Sequence, residues 1–390
     1  MKYNKQVMGI SPSKSVALLP KIQELQKKDP SIINMTVGEP DFDSPAPARE
    51  EVYRQLEAGY NHYTEARGNK DLRIALALKQ KEENHAPYSA DNILITPGAK
   101  YAVYLAMQAL LNPGDEVMWL TPGWVSYPSI AQLCGGKPVA VHLNYDDNYR
   151  ITYEVLERAV SSRTKLLILN YPNNPTGKIL TDKDLEALTK FLRTHPQVYI
   201  LSDEVYEKMV YNDKKVISIA SIPEFFNRTV VVNGFSKSSA MTGWRIGYLA
   251  CNSEIYDVAL KIFQHTISCT SGFLQKGALV ALGCKKKTEQ MRKEFEKRKK
   301  LLFNGIKGIP GVEFMEPDGA FYAWVRFCTK KGSTQLCEEL LNKAKIAGIP
   351  GSAYGEKEKC CIRFSFAPEE EIRQMILNLK KFVNDGGLEE

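Results

Sequence analysis

Residues 229–248, TVVVNGFSKSSAMTGWRIGY, place a lysine where a hydrophobic strand should end. Lys237 follows this apolar run, and Arg245 stands eight residues later. Lysine is among the residues least often buried, so this position calls for a chemical reason. An amine attacks a carbonyl carbon only after losing its proton, and burial beside a second cation lowers its pKa. We therefore predict that Lys237 is a reactive amine, and that Arg245 supplies the second cation and binds a phosphate.

Asp203, at the end of the apolar run VYILSD, has two ordinary explanations. It could cap a helix or pair with a buried cation, and Tyr206 would share its face if a helix began there. Together with Lys237 it has a third, since pyridoxal phosphate enzymes combine a Schiff-base lysine with an acidic partner for the ring nitrogen. On this hypothesis Asp203 keeps the ring nitrogen protonated, so that the ring can absorb the electrons of a carbanion.

Two further loops follow apolar runs. Gly98, Ala99 and Lys100 open a helix after NILIT, where they form either a plain tight turn or an anion site, since free N–H groups at a helix start can bind an anion. The segment YPNNPTG is either a plain turn or a functional loop. Ligands of an open α/β sheet bind at the carboxyl ends of its strands. We therefore expect these loops to converge with Asp203 and Lys237.

The elements that must position these residues alternate between strands and helices. The strand candidates are short apolar runs at 92–96, 115–120, 138–143, 165–170, 198–203 and 229–234. Helical patterns between and after them include 99–112, 182–195 and 253–266. Such alternation predicts βαβ units, a mainly parallel sheet and an α/β domain over residues 45–285.

The pattern changes after residue 285. The segments GVEFME, AFYAWVRF and CCIRFSFA alternate like half-exposed strands, and two amphipathic helices begin near Ser333 and Pro368. We predict a smaller α+β domain formed by residues 286–390 together with residues 1–44.

The net charge of +7 is concentrated in one segment. Residues 285–300 hold nine Lys or Arg against three Glu, which leaves the rest of the chain nearly neutral. Met291, Phe295 and Leu302 recur at helical spacing, so we interpret the charges as the solvated face of a helix that bridges the two domains. No helix-turn-helix or zinc-finger spacing accompanies them, and we predict no nucleic-acid partner.

The eight cysteines form no C-x-x-C pair, and we interpret them as reduced thiols. No apolar run is long enough for a signal peptide or a membrane span. We expect a cytoplasmic protein with no membrane partner and no metal.

Nine ordered blocks resemble the class I aminotransferases, which are fold-type-I pyridoxal phosphate enzymes, and within them the bacterial-type aspartate aminotransferases. The blocks are VGEPDFDSP, HYTEARGNKDLR, PGAK, TPGWVSYP, NYPNNPTG, SDEVYE, SKSSAMTGWRIGY, PDGAFYAW and IRFSFA. The resemblance implies an α/β large domain with a mainly parallel seven-stranded sheet, a smaller α+β domain, and transamination through a ping-pong Schiff-base mechanism.

The resemblance also implies roles for individual residues. Lys237 would form the Schiff base and move a proton between the substrate Cα and the cofactor, with Asp203 as the partner of the pyridinium nitrogen. Tyr206 and Asn174 would hydrogen-bond the phenolic oxygen, and Trp124 would stack on the ring. Asn174 and Trp124 would also border the substrate.

Phosphate and substrate contacts are implied in the same way. The phosphate cup would be lined by Gly98, Ala99, Lys100, Ser236 and Arg245. Tyr63 would reach the phosphate of the neighbouring subunit, which implies a homodimer. Arg363 would bind the substrate α-carboxylate, with the Gly38 backbone nearby. Lys100, helped by Ser15, would read a distal carboxylate, which favours aspartate or glutamate with 2-oxoglutarate or oxaloacetate.

Two positions depart from the family pattern. Gly234 stands where many relatives have a phosphate-binding serine, for which Ser236 would compensate. Gly123 stands where an aromatic or polar residue is common, and we expect a looser loop under the ring. Aromatic, prephenate or alanine transamination and a pyridoxal phosphate-dependent C–S lyase remain alternatives. A cofactor-sensing binding module is the alternative from outside enzymology, although the chain ahead of the first block is too short for a winged helix.

Overall fold

A computed structural model describes residues 3–389, apart from the side chains of residues 5, 6 and 14–16. Its largest element is a seven-stranded sheet, called the large sheet below. All its strands run parallel except Gly247–Ala250, which is antiparallel to both of its neighbours. In spatial order the strands are Ile93–Thr96, Gly247–Ala250, Thr229–Gly234, Tyr199–Asp203, Thr164–Asn170, Glu116–Thr121 and Lys137–His142. The predicted α/β architecture is confirmed.

Helices cover both faces of the large sheet, as the apolar strands require. The three helices predicted at 99–112, 182–195 and 253–266 form with ends within two residues of the prediction. The α-helices around this sheet are Ala46–Glu57, Lys70–Glu83, Ala99–Leu110, Ser126–Leu133, Tyr153–Glu157, Asp182–Thr194, Pro223–Phe226, Phe235–Ser238, Ser253–Thr266 and Gly272–Gly283. Short 3₁₀ turns lie at Ala90–Asn92, Ile219–Ser221 and Thr242–Trp244.

The C-terminal part forms an antiparallel small sheet flanked by helices. Its strands, in spatial order, are Ile349–Pro350, Cys361–Ser365, Tyr322–Phe327 and Val312–Phe314. The helices are Lys285–Ile306, Ser333–Ala344 and Glu369–Asn384, with a 3₁₀ turn at Gly351–Ala353.

The N-terminal segment packs with this C-terminal part. It contains helices Lys5–Met8 and Lys14–Lys28, and strand Ile33–Asn34 pairs in parallel with Ile346–Ala347. This pairing agrees with the expectation that the first forty residues join the smaller unit. The domain boundaries at residues 45 and 285 stay a prediction.

The basic helix Lys285–Ile306 differs in part from its prediction. Met291, Phe295 and Leu302 are buried as expected. Arg298 and Lys299, however, are buried too instead of lying on a solvated face. Arg298 Nη1 lies 2.7 Å from Asp41 Oδ1, and Lys299 Nζ lies 2.7 Å from Glu316 Oε1. These carboxylates compensate the charge of the two buried cations. Hydrophobic periodicity cannot predict such partners, because they lie outside the helix.

Among residues 3–389, no helix combines the length and the apolar composition needed to cross a membrane.

Candidate functional site

A cavity of about 430 Å³ lies at the carboxyl ends of the central strands of the large sheet. Asn170 and Asp203 end two neighbouring strands, and Lys237 lies in the short helix that directly follows a third. The predicted residues that line the cavity are Gly38, Ala99, Lys100, Trp124, Asn174, Asp203, Tyr206, Ser236, Lys237, Arg245 and Arg363. The predicted convergence of the loops is therefore observed.

Lys237 projects into this cavity from helix Phe235–Ser238. Its ammonium donates a hydrogen bond to the backbone carbonyl of Gly38. Although the side chain is only half-buried, burial around the amine lowers its pKa from 10.5 to about 8. Glu39 opposes this shift, while Arg363 and Arg245 reinforce it. Lys237 therefore has a larger neutral fraction near neutral pH than an ordinary lysine.

The lowered pKa predicts the pH at which Lys237 becomes nucleophilic. Only the neutral amine reacts with acetic anhydride, so labelling of Lys237 should be half-maximal near pH 8. The exposed control Lys297, whose pKa is raised by Glu369, should require a pH above 10. Peptide mass spectrometry after brief labelling of the cofactor-free protein across a pH series measures both residues. If the two lysines showed the same pH dependence, the proposed neutralisation of Lys237 would be wrong.

Asp203 lies at the end of its strand and is almost fully buried. Tyr127 donates a hydrogen bond to Oδ2 at 2.7 Å, and the backbone N–H of Val205 donates to Oδ1 at 3.3 Å. Burial raises the pKa of Asp203 to about 6, although both hydrogen bonds and Lys237 oppose the shift. Residues 205–208 form a turn, so the helix that Asp203 might have capped does not exist.

Arg363 is a buried cation on strand Cys361–Ser365 rather than an exposed strand residue. Its Nη2 donates to the carbonyl of Thr36 at 2.8 Å, and its Nη1 donates to Asn174 Oδ1 at 3.2 Å. The Tyr322 ring lies 4.3 Å from the guanidinium carbon, and the Tyr322 and Tyr206 hydroxyls are 2.8 Å apart. One buried cation is thus held by the N-terminal segment, the NNPTG loop and the small sheet.

The first turn of helix Ala99–Leu110 faces the same cavity. Gly98 adopts φ 85° at the N-cap, and a Cβ there would collide with the Arg245 guanidinium. Gly98 therefore lies behind Arg245 and does not itself line the cavity. Partial burial and, to a lesser extent, Arg245 lower the pKa of Lys100. The helix start, two cations and the buried Ser236 form a cradle that suits an anion.

The two unusual glycines both occupy positions with no room for a side chain. A Cβ at Gly234 would lie 2.9 Å from the carbonyl oxygen of Ile246, so a serine would need the neighbouring strand to move. Gly123 donates its N–H to the carbonyl of Tyr354 at 3.0 Å, and a Cβ would collide with the Leu120 carbonyl. The expectation of a looser loop at Gly123 is therefore wrong, because this loop is closely packed.

Of three other residues predicted to belong to the site, one lines the cavity, one lies outside it and one has an undescribed side chain. Trp124 lines the cavity with its ring 5.1 Å from Tyr127, near perpendicular, and 5.1 Å from Lys100 Nζ. Tyr63 does not line this chain's cavity and is 90% exposed. The side chain of Ser15 lies outside the part of the chain that the structure describes.

Sequence reasoning assigned no role to three tyrosines of the cavity wall. Tyr127 bonds to Asp203, while Tyr322 and Tyr354 flank Arg363 with their rings. Tyr127 and Tyr322 lie in the matching blocks TPGWVSYP and PDGAFYAW, which was the available signal. Tyr354 lies outside all nine blocks and carried no such signal.

Comparisons with known proteins agree with this geometry. The family model "Aminotransferase class I and II" matches residues 30–379. The aspartate aminotransferase of Thermotoga maritima is 38% identical over 382 residues, covering 98% of this chain and 99% of that protein.

Two solved structures are similar over nearly the whole chain. The aspartate aminotransferase of Thermus thermophilus with maleate has a TM-score of 0.92 and 32% identity, covering 98% of this chain and 99% of that one. The aromatic aminotransferase of Pyrococcus horikoshii has a TM-score of 0.89 and 35% identity, covering 94% of this chain and 100% of that one.

Proposed function

The chain belongs to the class I and II aminotransferase family, and from this premise we propose that it transfers amino groups between aspartate or glutamate and 2-oxoglutarate or oxaloacetate. As a pyridoxal phosphate-dependent aminotransferase, it moves an amino group between an amino acid and a 2-oxo acid. The observation that carries the finer proposal is one cavity that combines a lysine of lowered pKa, a buried carboxylate and a buried arginine.

The residues of the cavity fit pyridoxal phosphate. Asp203 would face the ring nitrogen, since its buried carboxylate has a raised pKa and would gain from a cationic partner. The helix start at Ala99, with Ser236 and Arg245, would hold the phosphate. When bound, this cofactor supplies an aldehyde that bonds to amines and a ring that accepts electrons.

Lys237 would hold and move the proton. Its amine can be neutral near pH 8, so it can accept a proton at the substrate Cα and return it elsewhere. The hydrogen bond to the Gly38 carbonyl orients the amine towards the N-terminal segment that closes one side of the cavity. Tyr206 and Asn174 line the same wall and would orient the ring oxygen.

Carboxylate recognition would divide between two cations. Arg363 would bind the α-carboxylate common to every amino acid, because its fork of donors matches a carboxylate. Lys100, at the exposed rim beside Trp124, would bind a second carboxylate. The similar structure of Thermus thermophilus aspartate aminotransferase, which contains the dicarboxylate maleate, supports this choice of substrate class.

Substitution of Lys100 tests this specificity. Lys100→Ala should raise the KM for aspartate about 30-fold, equivalent to ~2 kcal/mol of lost binding. The KM for alanine should change less than about threefold, because alanine has no distal carboxylate, and alanine therefore serves as the control substrate. Steady-state kinetics with 2-oxoglutarate as the acceptor measures both values. Equal effects on the two amino donors would refute the assignment of Lys100.

Aromatic transamination is the second candidate function. Trp124 and Tyr127 give the cavity an aromatic wall, and one similar structure is an aromatic aminotransferase. A spectrophotometric half-reaction screen across the amino acids decides between aspartate, phenylalanine and alanine as donors. The same screen detects a C–S lyase by release of a thiol, and a cofactor-sensing module by the absence of turnover.

The proposal includes a homodimer located in the cytoplasm. Tyr63 is 90% exposed in the single chain, which agrees with a residue whose place is in the neighbouring subunit's cavity. In a dimer of this kind each active site would be completed by Tyr63 of the other copy.

A further inference from the structure

The guanidinium of Arg363 lies near the rings of two tyrosines, which differ in the hydrogen bonding of their hydroxyl groups. The Tyr322 centroid is 4.3 Å and the Tyr354 centroid 5.5 Å from the guanidinium carbon. The Tyr322 hydroxyl has a partner, because it lies 2.8 Å from the Tyr206 hydroxyl. The Tyr354 hydroxyl is buried beside the Arg363 guanidinium, which can only donate to it, so in the described part of the chain the proton of the phenol has no acceptor.

Arg363 carries a second unpaired donor. Its Nη1 and Nη2 donate to Asn174 and to Thr36, but its buried Nε has no partner among residues 3–389. A buried donor without an acceptor costs about 1–3 kcal/mol. The Arg363 Nε–H and the Tyr354 O–H both line one cavity and both lack a well-aligned acceptor within the protein, which indicates a ligand that brings more than one acceptor oxygen.

Tyr354 is held in place independently of any ligand. Its N–H donates to the Gly351 carbonyl at 2.8 Å, and its own carbonyl accepts from Gly123. Its ring packs edge-on against Trp324, with the centroids 5.6 Å apart. Trp324 in turn donates from Nε1 to the Tyr149 hydroxyl at 2.7 Å. The phenol is therefore fixed from both sides, with a side chain only 1% exposed.

We propose that Tyr354 is a further substrate-binding residue, whose hydroxyl donates a hydrogen bond to the carboxylate that Arg363 holds. This inference rests on the proposed function for the identity of the ligand. A carboxylate supplies two acceptor oxygens, which matches one N–H donor and one O–H donor. Burial raises the pKa of Tyr354, so the phenol keeps its proton and stays a donor at physiological pH.

The rival explanation is that Tyr354 contributes only a ring that packs on Arg363 and Trp324. Phenylalanine would serve that purpose equally well, so Tyr354→Phe removes only the group in question. A matched control exists in Tyr256, on helix Ser253–Thr266. Its hydroxyl is also buried beside an arginine, Arg67, and has no acceptor for its proton in the described chain, but it does not line the cavity.

The test is calorimetric titration of maleate into cofactor-loaded wild type, Tyr354→Phe and Tyr256→Phe. The dissociation constant should rise about tenfold in Tyr354→Phe, as expected for one hydrogen bond to a charged group. It should change less than about twofold in Tyr256→Phe. The KM values for aspartate and alanine should rise by the same factor in Tyr354→Phe, with kcat nearly unchanged, because both donors carry the α-carboxylate.

Three results would overturn the inference. They are unchanged maleate binding in Tyr354→Phe, a KM increase confined to aspartate, or a lower urea midpoint for this variant, which would mean that the hydroxyl has a partner inside the protein. Failure of the proposed function looks different. A wild type that binds maleate but transfers no amino group would contradict the function, while the effect of Tyr354→Phe on binding could still be read.

Discussion

Replacing Lys237 with alanine should reduce transamination by at least about 10⁴-fold, the upper range for loss of a positioned acid–base group. The amine is the only lysine nitrogen that lines the cavity apart from that of Lys100, as far as residues 3–389 show. Lys100 lies in the first turn of helix Ala99–Leu110, with its Nζ 5.1 Å from the Trp124 ring. The loss should appear in kcat, since the proposed substrate-binding residue Arg363 is unchanged in this variant.

Lys178→Ala is the matched control for Lys237→Ala. Burial lowers the pKa of Lys178 as well, but this lysine lines a different cavity. Lys178→Ala removes a half-buried lysine that has no proposed role in catalysis, and so controls for the structural effect of such a removal. Its activity should stay within about threefold of wild type. Measurable turnover by Lys237→Ala above one per cent of wild type would show that another group moves the proton.

Replacing Asp203 with asparagine should lower kcat by about 10²–10³-fold, the usual effect of removing one preorganised electrostatic group. Asparagine has nearly the same shape, and its single side-chain oxygen can accept from the Val205 backbone while its amide N–H donates to the Tyr127 hydroxyl, which reverses that hydrogen bond. The negative charge is lost without a loss of volume. The KM for the amino donor should change little, because Asp203 is not proposed to contact the substrate.

Stability measurements separate this effect from misfolding. The pKa of Asp203 is raised in the folded protein, so its ionised form is disfavoured there at pH 7. Folding stability from this group is therefore lost as pH rises from 3.8 through about 6 and is constant at higher pH, and neutral asparagine removes that penalty. Cofactor-free Asp203→Asn should unfold at a urea midpoint no lower than wild type. A kcat within threefold of wild type would contradict the proposed role of Asp203.

Much of the fold could be predicted because apolar runs in a parallel sheet are nearly continuous. The strand that ends in Asp203 and the strand that precedes Lys237 end at the predicted residues, which explains why the sequence could place these two side chains at one edge of the sheet. Strand Gly247–Ala250 is not predicted from the residue pattern, because two of its four residues, Gly247 and Ala250, are of types that are depleted in strands. The burial of Arg298 could not be predicted either, since its partner Asp41 is distant in sequence.

A site residue could be predicted where its chemical type suggested a role and its position at the end of a predicted strand suggested a place in the site. Lys237 and Asp203 met that condition, whereas Arg363 was found only through the family resemblance. Tyr127 and Tyr354 depend on contacts between segments that are far apart in the chain, Tyr127 with Asp203 and Tyr354 with Gly123. Neither hydrophobic periodicity nor residue spacing predicts contacts between distant segments. The hydrogen-bonding partners of the site residues are therefore known only from the structure.

The most direct test of the account is the location of the cofactor's covalent bond. Cofactor-loaded protein is reduced with borohydride, digested and analysed by mass spectrometry, with Lys237→Ala and Lys178→Ala treated in parallel. If Lys237 forms the Schiff base, wild type and Lys178→Ala should each carry one reduced pyridoxyl adduct, on the peptide that contains Lys237. Lys237→Ala should carry none. An adduct on another lysine of the wild type, or no adduct at all, would contradict this role of Lys237.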